Sequence, residues 1–508
     1  MNVVTDIPSA SAAGKSVTDL RSALKLLQSI PGQLHVSDEP VDPFGELAGV
    51  YRHIGAGGTV MRPTKIGPAM LFTHIKQHPG ARVVTGVFAS RARLALLLGT
   101  TYDRLGHLLR HCLANPIAPV TVDKSRAACQ QVVHLASEPG FDIRRLVPAP
   151  TNTPEDAGPY VTIGMVHATD PETGESDVTI HRLCMQGPDE LSMFLAMGRH
   201  IDVFRQKAEA AGKALPISVN IGLDPAIAAS SCFEPPATPV GFNELGVAGA
   251  IRGRPVEMVD CITVNAKAIA HAEFVIEGEL IPGVRVKEDQ YSKTGKAMPE
   301  FPGYNGPAHP SLPIIKVKAV TTRRKPIMQT VIGPSEEHVN LAGIPQEASI
   351  LSMVEQAMPG RLLNVYAPTA GGGKLMTILQ FRKAIPADEG RQRQAALLAF
   401  AAYPELKHVI IVDEDVDIFD MMDVVWAMNT RYQGDIDTIF IPGVRCHQLD
   451  PSQDPVYNAT LKGRGLTCKT IFDCTVPFDL KAQFQRAQFQ EITNLQDYLV
   501  PSTEPLEL

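Results

Sequence analysis

The sequence predicts an α/β protein, α+β in its overall layout, with an α/β N-terminal region, a β-rich middle domain and an α/β C-terminal domain. Three observations predict this division. Short strands alternate with helices over residues 1–115, strand patterns dominate over 116–335, and helices alternate with strands again over 336–508. A chain of 508 residues is also too long for one hydrophobic core.

Local patterns predict the individual elements. Residues 17–30 carry apolar side chains at helical spacing and end at Pro31 and Gly32, which predicts a first amphipathic helix. The run 81–88 predicts a strand, and 91–113 predicts helix. Five β-branched segments predict the strands of the middle domain: YVTIGMVHA, DVTIHRLCMQ, VEMVDCITVNA, AEFVIEGEL and LPIIKVKAVTT. Beyond residue 340, RQRQAALLAFAAY predicts a helix and HVIIV a buried strand.

Composition narrows the classes of function. The chain carries 47 Lys and Arg against 54 Asp and Glu, so it lacks the basic footprint of a nucleic-acid binder. No window approaches the roughly 18 apolar residues of a membrane span, and the N-terminus lacks a basic segment followed by an apolar run. The eight cysteines form no CxxC pair. We therefore expect a cytoplasmic protein with reduced, mostly buried thiols and neither nucleic-acid nor membrane partners.

Two glycine-rich motifs do not match the nucleotide-binding consensus sequences that they resemble. AGGGK (370–374) has Pro368 and Leu375 where a Walker loop needs Gly and Ser or Thr. GAGGTV (55–60) has Val60 where a dinucleotide fingerprint needs its third glycine. A third motif, VIIVDEDVDIFD (409–420), places five acids after an apolar strand. It is typical either of a cation site or of a solvated strand end that leads into a helix.

A hairpin is predicted at the turn Gly187 to Glu190, between two apolar segments. With the turn centred after Pro188, Asp177 lies opposite His200, near which a helix should start and run to Gly212. A carboxylate and an imidazole at this position form either a plain hydrogen-bonded contact or two ligands of a cation such as Mn²⁺ or Mg²⁺.

Arg182 lies in the middle of this strand, on the face of Val178, Ile180 and Cys184. Its guanidinium cannot lose its proton and therefore needs anionic partners. It is either a structural salt-bridge or snorkelling residue, or a clamp for a substrate or catalytic carboxylate. The candidate partners are Glu288, Asp289 and Glu300, the last in a proline-stiffened loop where a solvated glutamate is the default.

Several spaced motifs resemble one family. The Arg of DVTIHR, the His of GRH, the Glu of FNELGVAGA, the Glu before FPGY and the run VIIVDEDVDIFD together resemble the UbiD-type decarboxylases, which use prenylated FMN. Within that family, this chain is most similar to the bacterial protocatechuate (3,4-dihydroxybenzoate) decarboxylases. The segments that carry this similarity are ELAGVYRHIGAGGTV, PAPTNTP, DELSMFLA, AGGGK and HQLDPSQ. The resemblance runs over nearly the whole chain.

The resemblance implies a set of site residues. Asp177, His200 and Glu244 match the ligands of a cation, Mn²⁺ or similar with K⁺ nearby, although many members have Asn at the first position. Arg182 and Glu300 match the catalytic Arg–Glu–Glu set, with Glu288 as the third member and Asp289 as its substitute. The positions that surround the flavin are Val178, Thr179, Ile180, Arg182, Arg199, Cys232, Phe233 and Lys407. The positions that face the substrate are His338, Lys374 and His447.

The resemblance also implies a fold and an activity. The middle domain would be a split β-barrel of the flavin-reductase type, and the C-terminal domain would support a homodimer or hexamer. The activity would be the non-oxidative, reversible decarboxylation of an aromatic acid such as protocatechuate. Prenylated FMN, supplied by a flavin prenyltransferase, would accept the electrons as CO₂ departs. Glu300 would then deliver the proton. The alternatives are a flavin-dependent oxidoreductase and a non-catalytic flavin carrier.

Overall fold

The structure is a computed structural model that describes residues 14–61, 65–196, 199–453 and 465–499. The first helix is α1, Leu20–Gln28, and it begins where Asp19 accepts a hydrogen bond from the Ser22 backbone N–H. The remaining elements of the N-terminal region alternate as predicted: β1 Leu34–Ser37, α2 Glu46–Gly55, β2 Ala69–Phe72, β3 Arg82–Thr85, α3 Arg91–Leu98 and α4 Leu105–Ala114.

The middle region is rich in strands, as predicted. Its strands are β4 Val120–Thr121, β5 Val132–Leu135, β6 Tyr160–Thr169, β7 Ser176–Gly187, β8 Glu190–Met193, β9 Leu215–Ile221, β10 Glu257–Asp260, β11 Lys267–Ile269, β12 Phe274–Val286, β13 Lys296–Pro299, β14 Asn305–Pro307, β15 Leu312–Thr322 and β16 Ile327–Gln329. Its helices are α5 Ile143–Leu146, α6 His200–Ala210, α7 Pro225–Ser230 and α8 Leu245–Arg252. Strand β16 leaves this region and pairs in parallel with β3 of the N-terminal sheet.

Six strands of the middle region close into a β-barrel. The order is β12-β9-β6-β7-β8-β15, and β15 pairs with β12 to close the ring, while β5 adds to the outside of β15. Apolar side chains from all six strands fill the interior, among them Val166, Leu183 and Val320. The predicted α/β fold class with a β-barrel middle domain is therefore confirmed. Because a closed ring fixes each strand on both sides, the barrel is a rigid support for side chains on β7.

The C-terminal domain is a mixed sheet between helices. The sheet order is β17-β18-β19-β21-β20. Its elements are α9 Glu336–Ala357, β17 Leu362–Tyr366, β18 Met376–Phe381, α10 Arg391–Ala402, β19 His408–Val412, α11 Met421–Arg431, β20 Thr438–Arg445, β21 Leu466–Cys474 and α12 Leu495–Tyr498. The predicted helix and strand at RQRQAALLAFAAY and HVIIV are α10 and β19.

Buried acids of α9 attach the C-terminal domain to the N-terminal region. Glu337 accepts hydrogen bonds from the backbone N–H groups of Gly86 (2.7 Å) and Phe88 (3.0 Å). Glu347 pairs with Arg91 at 2.7 Å. These contacts fix the first turn of α9, which carries His338.

The thiols agree with the sequence prediction. All eight cysteines are free, and five of them are buried. Within the ranges that the structure describes, no helix combines the length and apolar character that crossing a membrane would require.

Candidate active site

Three buried side chains converge at one end of the barrel. Asp177 lies near the start of β7, His200 is the first residue of α6, and Glu244 precedes the first residue of α8. Each offers a ligand atom, and these atoms lie within 4.8 Å of one another. Asp177 Oδ2 is 3.3 Å from His200 Nδ1. Among the described residues this is the group of His, Cys, Asp and Glu side chains whose geometry suits a metal ion.

The predicted cross-strand pairing of Asp177 with His200 was wrong. The ladder between β7 and β8 pairs Leu183 with Met193 and then ends, because β8 stops at Met193. A register shift next to the turn also moves the pairing away from the predicted register. His200 therefore reaches Asp177 from the start of a helix and not as a cross-strand neighbour. The turn itself and the helix start at His200 are as predicted.

The chemistry of this group fits a divalent cation. His200 Nε2 and Glu244 Oε2 are buried and have no hydrogen-bond partner in the part of the chain that the structure describes. Burial and the neighbouring Asp177 raise the pKa of Glu244 well above its usual range. Unpaired buried polar atoms are costly, and a cation bound by two carboxylates and one imidazole would satisfy them.

Arg182 binds two carboxylates on the outer face of the barrel. Its Nε lies 3.2 Å from Glu288 Oε1, and its Nη1 donates to Glu300 Oε1. The guanidinium carbon lies 4.3 Å from the ring centre of Phe194. The Tyr160 hydroxyl also donates to Glu288 Oε1, at 3.0 Å. Although burial alone would lower it, the two glutamates raise the pKa of Arg182, so the guanidinium stays charged.

The structure distinguishes Glu288 from Asp289. Asp289 pairs with Lys287 at 3.1 Å and accepts a hydrogen bond from the Gly295 N–H at 2.7 Å. Glu288 is the residue whose carboxylate faces Arg182. The side chains of consecutive residues point to different sides of the chain, so only one of the two acids contacts the guanidinium.

Glu300 is buried and pairs with Arg182, so the alternative of a solvated loop glutamate does not hold. It follows β13 directly, at the turn of the small β13–β14 hairpin, and is 9% exposed. Burial raises its pKa, Arg182 opposes this shift, and the charge of Glu288 adds to it. The result is a carboxyl group that is protonated at a higher pH than usual.

The three predicted substrate-facing residues lie together around Phe301, the residue after Glu300. The rings of His447 and His338 meet the Phe301 ring edge-on, with centroids 4.6 Å and 6.2 Å away. Lys374 lies close enough that its charge lowers the pKa of Glu300 and of His338. His338 and His447 therefore contact the residue next to Glu300, and Lys374 acts on Glu300 through its charge.

The imidazoles of His338 and His447 are both neutral near pH 7. Burial, with a further contribution from Lys374, lowers the pKa of His338 to about 4. Burial also lowers the pKa of His447 to about 3. His447 Nδ1 accepts from the Leu449 N–H at 3.1 Å, and Nε2 lies 3.5 Å from Glu405 Oε2, so both ring nitrogens face protein groups. In the described part of the chain, His338 has no hydrogen-bond partner, which leaves it free to bind a ligand.

The predicted flavin-binding residues occupy several places. Thr179 and Ile180 are partly exposed on β7, while Val178 and Phe233 are buried. Cys232, also partly exposed, packs with Ile180 against one core cluster. Arg199 pairs with Glu234, and Lys407 with Asp450 (2.6 Å) and Ser452 (2.7 Å). Ile180 and Cys232 are thus partly exposed at the border of this cluster, and Ile180 precedes Arg182 by two residues on β7.

The acidic run 409–420 is an ion-pair network, and its interpretation as a cation site was wrong. Asp413 lies just after β19, and Arg431 at the end of α11 pairs with it at 2.9 Å. The same guanidinium binds Asp415 at 2.6 Å. Because a permanent cation already occupies the space between these carboxylates, a metal ion has no place there.

We expect Arg431→Met to lower the free energy of unfolding by about 3 kcal/mol or more, because Asp413 would stay buried without its cation. Urea denaturation measures this loss. Arg382→Met is the matched control, since the Arg382–Glu414 pair is 48% and 40% exposed and should contribute less than about 1 kcal/mol. Equal losses in the two variants would contradict the assignment.

The sequence interpretation missed four residues of the site: Tyr160, Phe194, Glu234 and Glu405. Each contacts a predicted site residue across a long stretch of chain. Phe194 alone carried a local signal, because it follows the predicted hairpin strand directly.

Three family models match this chain in succession. They are the N-terminal domain (residues 27–113), the Rift-related domain (120–336) and the C-terminal domain (339–474) of 3-octaprenyl-4-hydroxybenzoate carboxy-lyase, UbiD. Together they match most of the 508 residues. The chain therefore belongs to the UbiD family and is a carboxy-lyase.

Individual proteins similar to this chain include two decarboxylases of hydroxylated benzoic acids and a UbiD-class enzyme. The structure resembles apo 3,4-dihydroxybenzoic acid decarboxylase from Enterobacter cloacae, with a TM-score of 0.90, 62% identity, and coverage of 94% of this chain and 98% of that one. Gallate decarboxylase of Lactiplantibacillus plantarum is 55% identical over 95% of this chain and 99% of its own. An evolved dimeric form of the UbiD-class enzyme HmfF from Pelotomaculum thermopropionicum in complex with prFMN has a TM-score of 0.81 and 31% identity, over 95% and 100% of the chains.

Proposed function

We propose that this protein decarboxylates a hydroxylated benzoate without net oxidation, with 3,4-dihydroxybenzoate to catechol as the leading reaction. The observation that carries the proposal is the partly buried Arg182, which binds both Glu288 and Glu300. The similarity to a 3,4-dihydroxybenzoic acid decarboxylase at 62% identity supports this substrate. The 55% identity to a gallate decarboxylase makes gallate the second candidate.

The residues present fit a flavin phosphate site with a metal ion. Asp177, His200 and Glu244 would hold Mn²⁺ or a similar divalent cation, with K⁺ as a second ion. Prenylated FMN would lie along the open surface next to β7, where Val178 to Ile180, Arg199, Cys232, Phe233 and Lys407 are the proposed neighbours. When bound, this cofactor supplies the electron sink that protein side chains lack.

The side chains of the proposed site would have separate roles in the reaction. Arg182 would hold the substrate carboxylate, because its charge is fixed and its fork of N–H groups matches a carboxylate. Protonated Glu300 would deliver the proton to the ring carbon that has lost CO₂. Glu288 keeps Arg182 in place and raises the pKa of Glu300. Lys374 would donate to ring hydroxyl groups, and the neutral imidazole of His338 would donate to them or accept from them.

The pH dependence of the rate should follow from Glu300. Because the protonated form acts, the rate should fall as pH rises through the raised pKa of Glu300. Glu288→Gln removes a negative charge that raises this pKa, so the alkaline limb of kcat against pH should move to lower pH. An alkaline limb that stays in place in Glu288→Gln would contradict this assignment.

The surface of the C-terminal domain suits a homo-oligomer. Met422 on α11 and Phe440 on the edge strand β20 are 76% and 67% exposed, which is unusual for large apolar side chains. We propose a homodimer, or a hexamer built from dimers, through this domain. A flavin prenyltransferase would supply the cofactor.

The test of the function is to produce the protein anaerobically together with a flavin prenyltransferase. The mass of the bound flavin and CO₂ release from 3,4-dihydroxybenzoate, gallate and 4-hydroxybenzoate are then measured. We expect prenylated FMN and the fastest release from 3,4-dihydroxybenzoate. Bound prenylated FMN without CO₂ release from any of these acids would overturn the proposed substrate class.

A further inference from the structure

One carboxylate oxygen of the partly buried Glu405 collects three polar groups around the predicted substrate-facing residues. Glu405 Oε2 accepts hydrogen bonds from Lys374 Nζ at 2.8 Å and from the Tyr403 hydroxyl at 3.1 Å. His447 Nε2 lies 3.5 Å from the same atom. Glu405 therefore contacts two of the three predicted substrate-facing residues without belonging to that set.

The formal charges of the side chains around Lys374 cancel. Lys374 and Arg199 are the cations, and Glu234 and Glu405 are the anions. Glu234 binds both cations, and Glu405 binds Lys374. Although burial would raise it, the positive charge of Lys374 holds the pKa of Glu405 well below its usual range. Glu405 and Lys374 are therefore both ionised, and the formal charges of the four groups cancel.

Two carboxylates hold the ammonium of Lys374. It has three N–H donors, and Glu405 (2.8 Å) and Glu234 (3.3 Å) take two of them. The two carboxylates fix its position, which is next to His338 and within electrostatic reach of Glu300. An aromatic acid held at Arg182 would therefore direct its far edge toward Lys374 and His338.

We infer that Glu405 is a positioning residue that determines specificity: it orients and neutralises Lys374, so that the far end of the pocket accepts a neutral ring hydroxyl and rejects a second carboxylate. The inference rests on the proposed function and names what selects its substrate class. Without Glu405, Glu234 alone would face both Lys374 and Arg199, so the cluster would carry a net positive charge and would attract an anion.

The test compares two ligands that differ only at the far edge of the ring. Calorimetry gives the affinity of the protein for 4-hydroxybenzoate and for benzene-1,4-dicarboxylate, in the wild type and in Glu405→Gln. We expect the variant to weaken 4-hydroxybenzoate binding by at least about 10-fold and to strengthen dicarboxylate binding. A purely structural loss would weaken both ligands together, and that result would overturn the inference.

Two variants serve as controls for charge and folding. Glu405→Asp keeps the negative charge and should keep the wild-type order of the two affinities. Tyr403→Phe removes only the hydroxyl donor and should also keep that order. An inverted order in Tyr403→Phe, or an unchanged one in Glu405→Gln, would contradict the role of the Glu405 charge.

Turnover separates this inference from the proposed function. In the protein loaded with prenylated FMN, Glu405→Gln should raise KM for 3,4-dihydroxybenzoate more than it lowers kcat, because the reacting carbon lies at the other end of the pocket. If the loaded wild type releases no CO₂ while the ligand affinities change as expected, the proposed function fails and the selectivity assignment stands.

Discussion

Glu300→Gln is expected to lower kcat for CO₂ release by at least about 10²-fold while leaving flavin binding intact. The amide fills the same space and still accepts from Arg182, but it cannot deliver a proton. The geometry supports this because Glu300 is buried beside Phe301, at the border between the acid network and the ring-binding end. The measurements are single-turnover CO₂ release and the absorbance of the bound flavin.

Asp289→Asn is the matched control for this experiment. Asp289 is as deeply buried as Glu288 but binds Lys287 and the Gly295 N–H instead of Arg182. Its amide variant should keep kcat within a few-fold of the wild type. Equal losses in Glu300→Gln and Asp289→Asn would mean that the first variant acts through folding and not through proton transfer.

Asp177→Ala is expected to remove the metal ion and the flavin together. Substitutions outside the ligand sphere of a metal cost about 10- to 100-fold in affinity, so the loss of a ligand should cost at least about 10²-fold. Metal analysis and flavin absorbance on the purified protein measure both losses. The reason is geometric, since Asp177 is the ligand that faces both His200 and Glu244.

Glu172→Gln is the control for the metal site. Glu172 lies in the turn before β7, is exposed, and pairs with Lys207 at 3.2 Å. Its loss should leave metal and flavin content unchanged. Full retention of both in Asp177→Ala would show that the three converging side chains form a structural cluster.

Local features of the fold could be predicted from the sequence because neighbouring residues determine them. The turn at Gly187, the helix start at His200 and the strand HVIIV depend on short patterns, and all three are present. The register beyond the turn could not be predicted, because a shift next to the turn and the early end of β8 depend on the rest of the barrel.

The candidate site divides in the same way. Arg182 could be singled out because a permanent charge in an apolar strand requires a partner. Its partners were among the acids that the sequence proposed, but the choice of Glu288 over Asp289 depends on which way each side chain points. Glu234 and Glu405 lie 140 and 31 residues from Lys374, and no local pattern marks either of them.

The ion pair between Lys374 and Glu234 joins two parts of the chain that contribute different things. The barrel supplies Arg182, Glu288 and Glu300, whereas the C-terminal domain supplies Lys374, Glu405 and His447. Under the proposed function, bond breaking and ring recognition depend on different parts of the chain, and one part can change while the other stays fixed. A relative could then accept a different aromatic acid through substitutions in the C-terminal domain alone. The proposed catalytic acids lie outside that domain and would stay unchanged.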